Sequence, residues 1–336
     1  MANSVYSRNR RLYVTNVSAF GTAVSPTNSD ATRYIDNTAQ PVQQESVRPD
    51  LNPSLDITQG VLGRKNRPFS GSASLAAASG AGVAPDLGKI FKAAFGLETI
   101  VASTSVTYAF DDAMDYIDLW QYVTTSDGGT TGTHEAMLSA VISQLEFSFG
   151  GNYADVKWSG ECKSYATSVG LSGMDTEGKC GLASWPTEPA SPVVNGAAIS
   201  GYKGTITLDG NAYTIGRSGK ITFKCGPSLQ KDGWGSDYPQ AGAKDPRDVM
   251  VDISLYDDDS SNLNSLKAKA DVGTRVDLSF VLGQTAGGIY TFTLKNVMLA
   301  KPQYDNSQTK RIVNFNGCTA RSTSGTSKDA FKLAIT

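Results

Sequence analysis

A two-residue alternation of apolar side chains constrains the fold more than any other feature of this chain. Val249, Val251, Ile253 and Leu255 alternate with Met250, Asp252 and Ser254, and Val276, Leu278, Phe280 and Leu282 alternate with Asp277 and Ser279. Successive side chains of a strand point to opposite faces, so the pattern predicts half-buried strands of antiparallel sheets. Between Gly204 and Cys225, short apolar runs are separated by Asp209-Gly210 and Arg217-Ser218-Gly219, which predicts a meander with tight turns. Helical signals are few. Pro85 followed by Leu87, Ile90, Phe91, Ala94 and Phe95, with a stop at Gly96, predicts one short amphipathic helix. A second is expected after Asp257-Asp258-Asp259, whose carboxylates suit a helix N-terminus, with Leu263, Leu266 and Ala270 inward and Gly273 beyond its end.

These elements recur in one order. A strand at 69–75, the helix at 85–95, strands near 101–110 and 116–123, and a hairpin from 138 to 158 are followed about 160 residues later by a second set. That set is a strand at 249–255, a helix at 260–270, a strand at 275–282 and a pair at 289–299 and 311–316. The expected fold is mainly β (α+β), as two tandem β-barrel or sandwich units with antiparallel strands and one short flanking helix each. The units are placed at 1–180 and 199–336, joined by a linker at 181–198 that contains Pro186, Pro189 and Pro192. The polar segment 21–68 has weak periodicity and is expected to be a long loop or arm, because an irregular stretch of that length is usually functional.

Composition argues against most chemistry. The 336 residues carry a net charge of -2 with 18% charged residues, so the whole chain has no pull toward nucleic acid or membrane. Residues 1–180 hold 13 basic and 18 acidic side chains, net -5, and residues 181–336 hold 17 and 14, net +3. The N-terminal Arg8, Arg10 and Arg11 are not followed by an apolar run, and nowhere do about 18 apolar residues run together, so neither a secretory signal nor a membrane segment is expected. The four cysteines, Cys162, Cys180, Cys225 and Cys318, form no CxxC pair and are expected to be free thiols.

The remaining motifs fail on context. Gly173 to Cys180 has P-loop spacing, but Cys replaces the Mg²⁺-binding hydroxyl and Trp185-Pro186 follows where a helix must open. The single histidine, His134, is expected in a solvated loop, too mobile to serve as a general base. Asp111, Asp112, Asp115 and Asp118 lack EF-hand spacing and are expected at a turn and on solvent-facing strand positions. Trp120, Trp158, Trp185 and Trp234 are expected to pack in the core or at interfaces, the alternative being a sugar-binding platform. No catalytic residue, metal or cofactor is expected.

Two stretches carry a family resemblance. Pro85-Asp86-Leu87-Gly88-Lys89-Ile90-Phe91-Lys92-Ala93-Ala94-Phe95-Gly96 followed by a hairpin containing Ser143-Gln144-Leu145-Glu146-Phe147-Ser148-Phe149 resembles the tail tube proteins of long-tailed bacteriophages. The second half is similar through Arg247-Asp248-Val249-Met250-Val251, its helix, and Tyr290-Thr291-Phe292-Thr293-Leu294. The resemblance implies a non-enzymatic virion protein, assembled in the host cytoplasm, whose rings stack around a lumen that conducts DNA without sequence preference. It implies as partners other copies of the chain, a tape measure protein and other tail proteins. With two units per chain, a trimeric ring with pseudo-sixfold symmetry is expected beside the hexameric alternative. Arg64, Lys65, Arg67, Tyr304 and Asp305 are the expected subunit or ring contacts, and Gln144, Glu146, Thr291 and Thr293 the expected lumen-facing sheet. The rival readings are a distal tail or tail terminator protein of the same fold and a carbohydrate-binding β-sandwich module.

Overall fold

The computed structural model describes residues 5–46, 61–125, 133–190, 196–213, 216–231, 234–240, 242–258 and 260–336. The first half contains β1 (Val5–Val17), β2 (Ala31–Thr32), β3 (Asp36–Ala39), β4 (Val42–Ser46), β5 (Val61–Asn66), β6 (Pro68–Ser74), α1 (Gly88–Phe95), β7 (Gly96–Val101), β8 (Ser105–Phe110), β9 (Tyr116–Thr125), β10 (Glu135–Phe149) and β11 (Asp155–Thr167). The second contains β12 (Gly204–Leu208), β13 (Asn211–Tyr213), β14 (Gly216–Lys224), β15 (Pro227–Leu229), β16 (Gly242–Lys244), β17 (Asp248–Tyr256), α2 (Ser261–Val272), β18 (Arg275–Leu282), β19 (Tyr290–Met298), β20 (Gln303–Asp305), β21 (Ile312–Ala320) and β22 (Phe331–Ile335). The fold is mainly β and every strand pair is antiparallel, as the alternation of apolar residues requires.

The two halves pair their strands in the same order. The first runs β2-β1-β9-β10-β11-β6-β3. The second runs β13-β12-β18-β19, continues through β20, and proceeds β21-β17-β14. Each half also sets aside a separate two-stranded ribbon at the same place, β4–β5 between β3 and β6, and β15–β16 between β14 and β17. The first half adds the β7–β8 hairpin and the second adds β22.

The halves meet through backbone and core. Strand β10 is long enough to serve two neighbours on one edge: Glu135 to Ala140 lie beside β9, and Gln144 to Phe149 lie beside β14 of the second half. Strand β22 binds β19 on one side and β8 on the other. Beneath these joints a shared aromatic cluster forms, with ring centroids of Phe95 and Phe223 5.2 Å apart, Phe147 and Phe292 4.9 Å, and Phe223 and Phe331 4.4 Å. Such buried rings supply large apolar area, and their tilted and edge-on arrangements suit the aromatic quadrupole. Helix α1 lies in this cluster through Ile90, Phe91, Ala94 and Phe95, and ends at Gly96, which adopts φ 92° in the left-handed region that glycine enters without strain.

Several local expectations change. Helix α2 is capped by Ser260, whose hydroxyl accepts the Leu263 N–H at 3.2 Å, and not by the aspartates. Asp257 instead accepts from Lys267 at 2.9 Å and from Arg311, Asp258 accepts the Ser260 N–H at 3.1 Å, and Asp259 lies outside the described residues. The meander breaks after β13, because β14 leaves that hairpin to pair with β10 and β17. Segment 21–68 holds four strands and the start of a fifth in its described part, and the loop at 300–310 contains β20. The linker is extended but held: the Trp185 ring packs 5.3 Å from Trp120, Tyr122 donates to the Pro186 carbonyl, and Glu188 accepts from Arg11 and Tyr13.

Candidate assembly surfaces

A carboxylate bound to a strand bulge occurs twice. In β10 the register against β9 slips at Ser139, whose φ is 49°, and the Ser139 N–H donates to Asp118 Oδ1 at 2.7 Å. In β19 the register against β18 slips at Asn296, whose φ is 52°, and the Asn296 N–H donates to Asp277 Oδ1 at 3.1 Å. A bulge leaves one backbone donor without a ladder partner, and in both halves a carboxylate from the neighbouring strand accepts it. The sequence carries the signal as Ile117-Asp118-Leu119 and Val276-Asp277-Leu278.

The two sites differ in their surroundings. Asp118 is fully buried and also accepts the Val24 N–H at 2.8 Å, while Gly21 donates to the Ser139 hydroxyl at 2.9 Å, so the segment after β1 covers the site. Burial outweighs the two amide donors and pushes the Asp118 carboxyl up to about 7. Asp118 therefore departs from the solvent-facing position expected of it. Asp277 is half exposed; Lys295 and the Asn296 amide overcome its partial burial and hold it below the usual carboxylate range.

Asp111 and Asp112 are held by basic side chains, whereas Asp115 keeps one buried carboxylate oxygen without a hydrogen-bond partner among the described residues. Lys328 Nζ lies 2.7 Å from Asp111 and 2.8 Å from Asp112, and Arg247 reaches Asp112 at 3.7 Å. Among the described residues no group of His, Cys, Asp and Glu side chains is arranged to hold a metal ion. His134 is part-buried at the start of β10, where Nδ1 accepts the Val123 N–H at 3.1 Å and the ring packs 5.0 Å from Tyr122, so it is a packing residue and not a solvated one. All four cysteines are free and buried, and burial pushes the Cys180 and Cys225 thiols up to about 12. Trp120 and Trp158 are buried in different clusters, whereas Trp234 is 98% exposed, so the tryptophans do not gather into a platform.

The basic cluster near the β4–β5 ribbon folds back on the chain. Lys65 Nζ lies 4.3 Å and the Arg67 guanidinium 4.7 Å from the centroid of the Tyr238 ring, and Lys65 also donates to the Tyr238 hydroxyl at 3.0 Å. Arg67 is buried and donates to the Lys163 carbonyl, while the exposed Arg64 donates to the Lys231 carbonyl. The base of the arm is thus clamped, and its tip at 47–60 lies outside the described residues.

Gln144 and Glu146 alternate with buried Leu145 and Phe147 and line a cleft with Asp36, Ser70, Ser72, Lys157 and the edge of Trp158. Thr291 and Thr293 alternate in the same way with buried Phe292 and Leu294 on β19. Tyr304 is 48% exposed with the Arg311 guanidinium 4.8 Å from its ring, and Asp305 accepts the Ser307 N–H at 2.8 Å. Strands β3, β7, β13 and β20 each pair on one side only among the described residues, and β7 also exposes Leu97, Ile100 and Val101. Unpaired edges of this kind invite pairing with another chain.

Among the described residues no helix is long and apolar enough to cross a membrane. No curated protein matches the chain. The family model described as phage tail tube protein matches residues 7–319, nearly the whole sequence, and the chain belongs to that family of structural virion tail proteins.

Proposed function

We propose that the chain is the subunit of a tail tube: copies close into rings, the rings stack, and the lumen conducts DNA during genome ejection around a tape measure protein. The observation that carries this reading is the repeated strand order with one-sided edges left at β3 and β20. Two units, 1–180 and 199–336 joined by 181–198, make each chain supply two positions of a pseudo-sixfold ring of three copies. The polar faces bearing Gln144, Glu146, Thr291 and Thr293 are assigned to the lumen. The 21–68 segment with the exposed Arg64, and the 300–310 loop with Tyr304 and Asp305, are assigned to contacts between subunits or rings, while Lys65 and Arg67 hold the base of that segment to its own chain.

Charge supports a head-to-tail arrangement. Inside the chain, basic residues of the second half meet acidic residues of the first: Lys220 with Glu146 at 3.1 Å, Lys231 with Glu161, Arg247 with Asp112, and Lys328 with Asp111. A ring repeats that complementarity between copies, where it sets orientation more than affinity. Electron microscopy of the purified protein tests the assignment: stacked tubes are expected, isolated rings would indicate a terminator or distal protein, and monomers under all conditions would refute it.

A further inference from the structure

We infer that neighbouring copies join through an antiparallel strand seam between β20 of one and β3 of the next, in a register set by the seam already present inside each chain. The inference rests on the self-assembly reading and specifies its contact.

The internal seam is β10 against β14, which pairs Glu146 with Thr222, Phe147 with Ile221 and Ser148 with Lys220. The equivalent residues in the other two strands can be counted from the bulges. Superposing Ser139 on Asn296 shifts the numbering by 157 and places Glu146 on Gln303, Phe147 on Tyr304 and Ser148 on Asp305. The adjoining ladder agrees: Glu146 and Ser148 pair with Lys157 and Asp155, and Gln303 and Asp305 pair with Asn314 and Ile312, again shifted by 157. On the other side, Val141 pairs with Glu161 and then Pro68, while Met298 pairs with Thr319 and then Met250. That correspondence carries Thr38, which pairs with Ser70, onto Lys220, which pairs with Asp252. The seam between copies therefore sets Asp305 opposite Thr38, Tyr304 opposite Ala39 and Gln303 opposite Gln40.

What the two edges expose agrees with this placement. Phe147 is fully buried in the internal seam, and its counterpart Tyr304 is 48% exposed in the single chain; Val42, just beyond Gln40, is 45% exposed. The seam is also short by construction. Pro302 and Pro41, neither of which has an N–H, face each other next in register and end the ladder, whereas the internal seam runs for six pairs. Rings of three copies would alternate long seams within chains and short seams between them.

Cysteine cross-linking tests the register. Gln40 and Gln303 are both exposed, directly opposed residues of an antiparallel pair bring Cβ atoms within disulfide reach, and the native cysteines are buried. Assembled Gln40→Cys/Gln303→Cys protein, oxidised and run without reductant, should give a covalent ladder ending in a closed species, while each single variant stays uncross-linked. Assembly by microscopy without that ladder would overturn the seam and leave the tube reading standing; a chain that never assembles would overturn both. Tyr304→Glu, a change at an exposed position, should keep the thermal transition of the parent and lower the assembled fraction at least tenfold, and unchanged assembly would likewise count against the seam.

Discussion

The Ser139 amide donates to Asp118 Oδ1 at 2.7 Å across the bulge of β10, and the Asn296 amide makes the same bond to Asp277 at 3.1 Å in β19. The bulge re-aims each long strand at the point where it passes from one neighbour to the next, so these carboxylates fix the joint between ladders. Asp118 holds two amide donors in a fully buried site, and Asp277 holds its donors where solvent reaches them.

Replacing Asp118 with Ala should cost about 2–5 kcal/mol, because two buried N–H groups lose their acceptor. The Asp277→Ala change should cost under about 1 kcal/mol, since solvent satisfies the freed amide. Denaturant unfolding of the two variants beside the parent measures the difference, and equal costs would show that burial is not what separates the sites.

The raised Asp118 carboxyl also predicts a pH dependence. Its value of about 7 in the folded chain lies above the ordinary 3.8, so the folded state holds the proton that the unfolded state releases. The associated stabilisation is fully present below pH 3.8 and is lost as pH rises toward 7. Asp118→Asn, which imitates the neutral form, should flatten the decline between those limits. Melting temperatures of parent and variant across pH 4–8 test this, and parallel curves would exclude the titration.

Tyr238 anchors the arm by facing Lys65 and Arg67 together. Tyr238→Ala should remove both cation–ring contacts, at about 0.5–2 kcal/mol each for partly desolvated pairs, and free the β4–β5 ribbon. Tyr238→Phe keeps the ring and loses the hydroxyl's hydrogen bonds to Lys65 and Asp175. Hydrogen exchange in residues 61–66 should rise strongly in the first variant and slightly in the second.

Phe147 sits in the internal seam and in the aromatic cluster at once, paired with Val156 and Ile221 and packed on Phe91, Phe223 and Phe292. Truncation to Ala should cost about 3–5 kcal/mol through the cavity left behind. Phe147→Pro also breaks the ladder and should abolish tube formation; tubes of that variant under the microscope would contradict the assignment of β10.

Much of the fold was legible because it is written at short range. The alternation of Val249 to Leu255 places β17 to within a residue at each end, and Pro85 and Gly96 bracket α1. The order of elements exposed the repeat, which the strand pairing then reproduced down to the separate ribbons β4–β5 and β15–β16. What escaped was the choice of partner. The pattern of Gly216 to Lys224 does not tell β14 to abandon its hairpin for β10, since that preference comes from Phe223 packing on Phe147, itself packed on Phe292, both from distant parts of the chain.

Sequence by itself determined the mainly β class, the repeat and the two aliphatic-Asp-Leu triplets that serve the bulges. Tertiary structure alone decided what those triplets became. The segment around Gly21 and Val24 closes over Asp118, while Asp277 stays half exposed beside Lys295. Identical local chemistry then titrates in opposite directions, because a carboxyl's charge is governed by the water and dipoles around it, and those are set by whatever distant chain the fold lays on top.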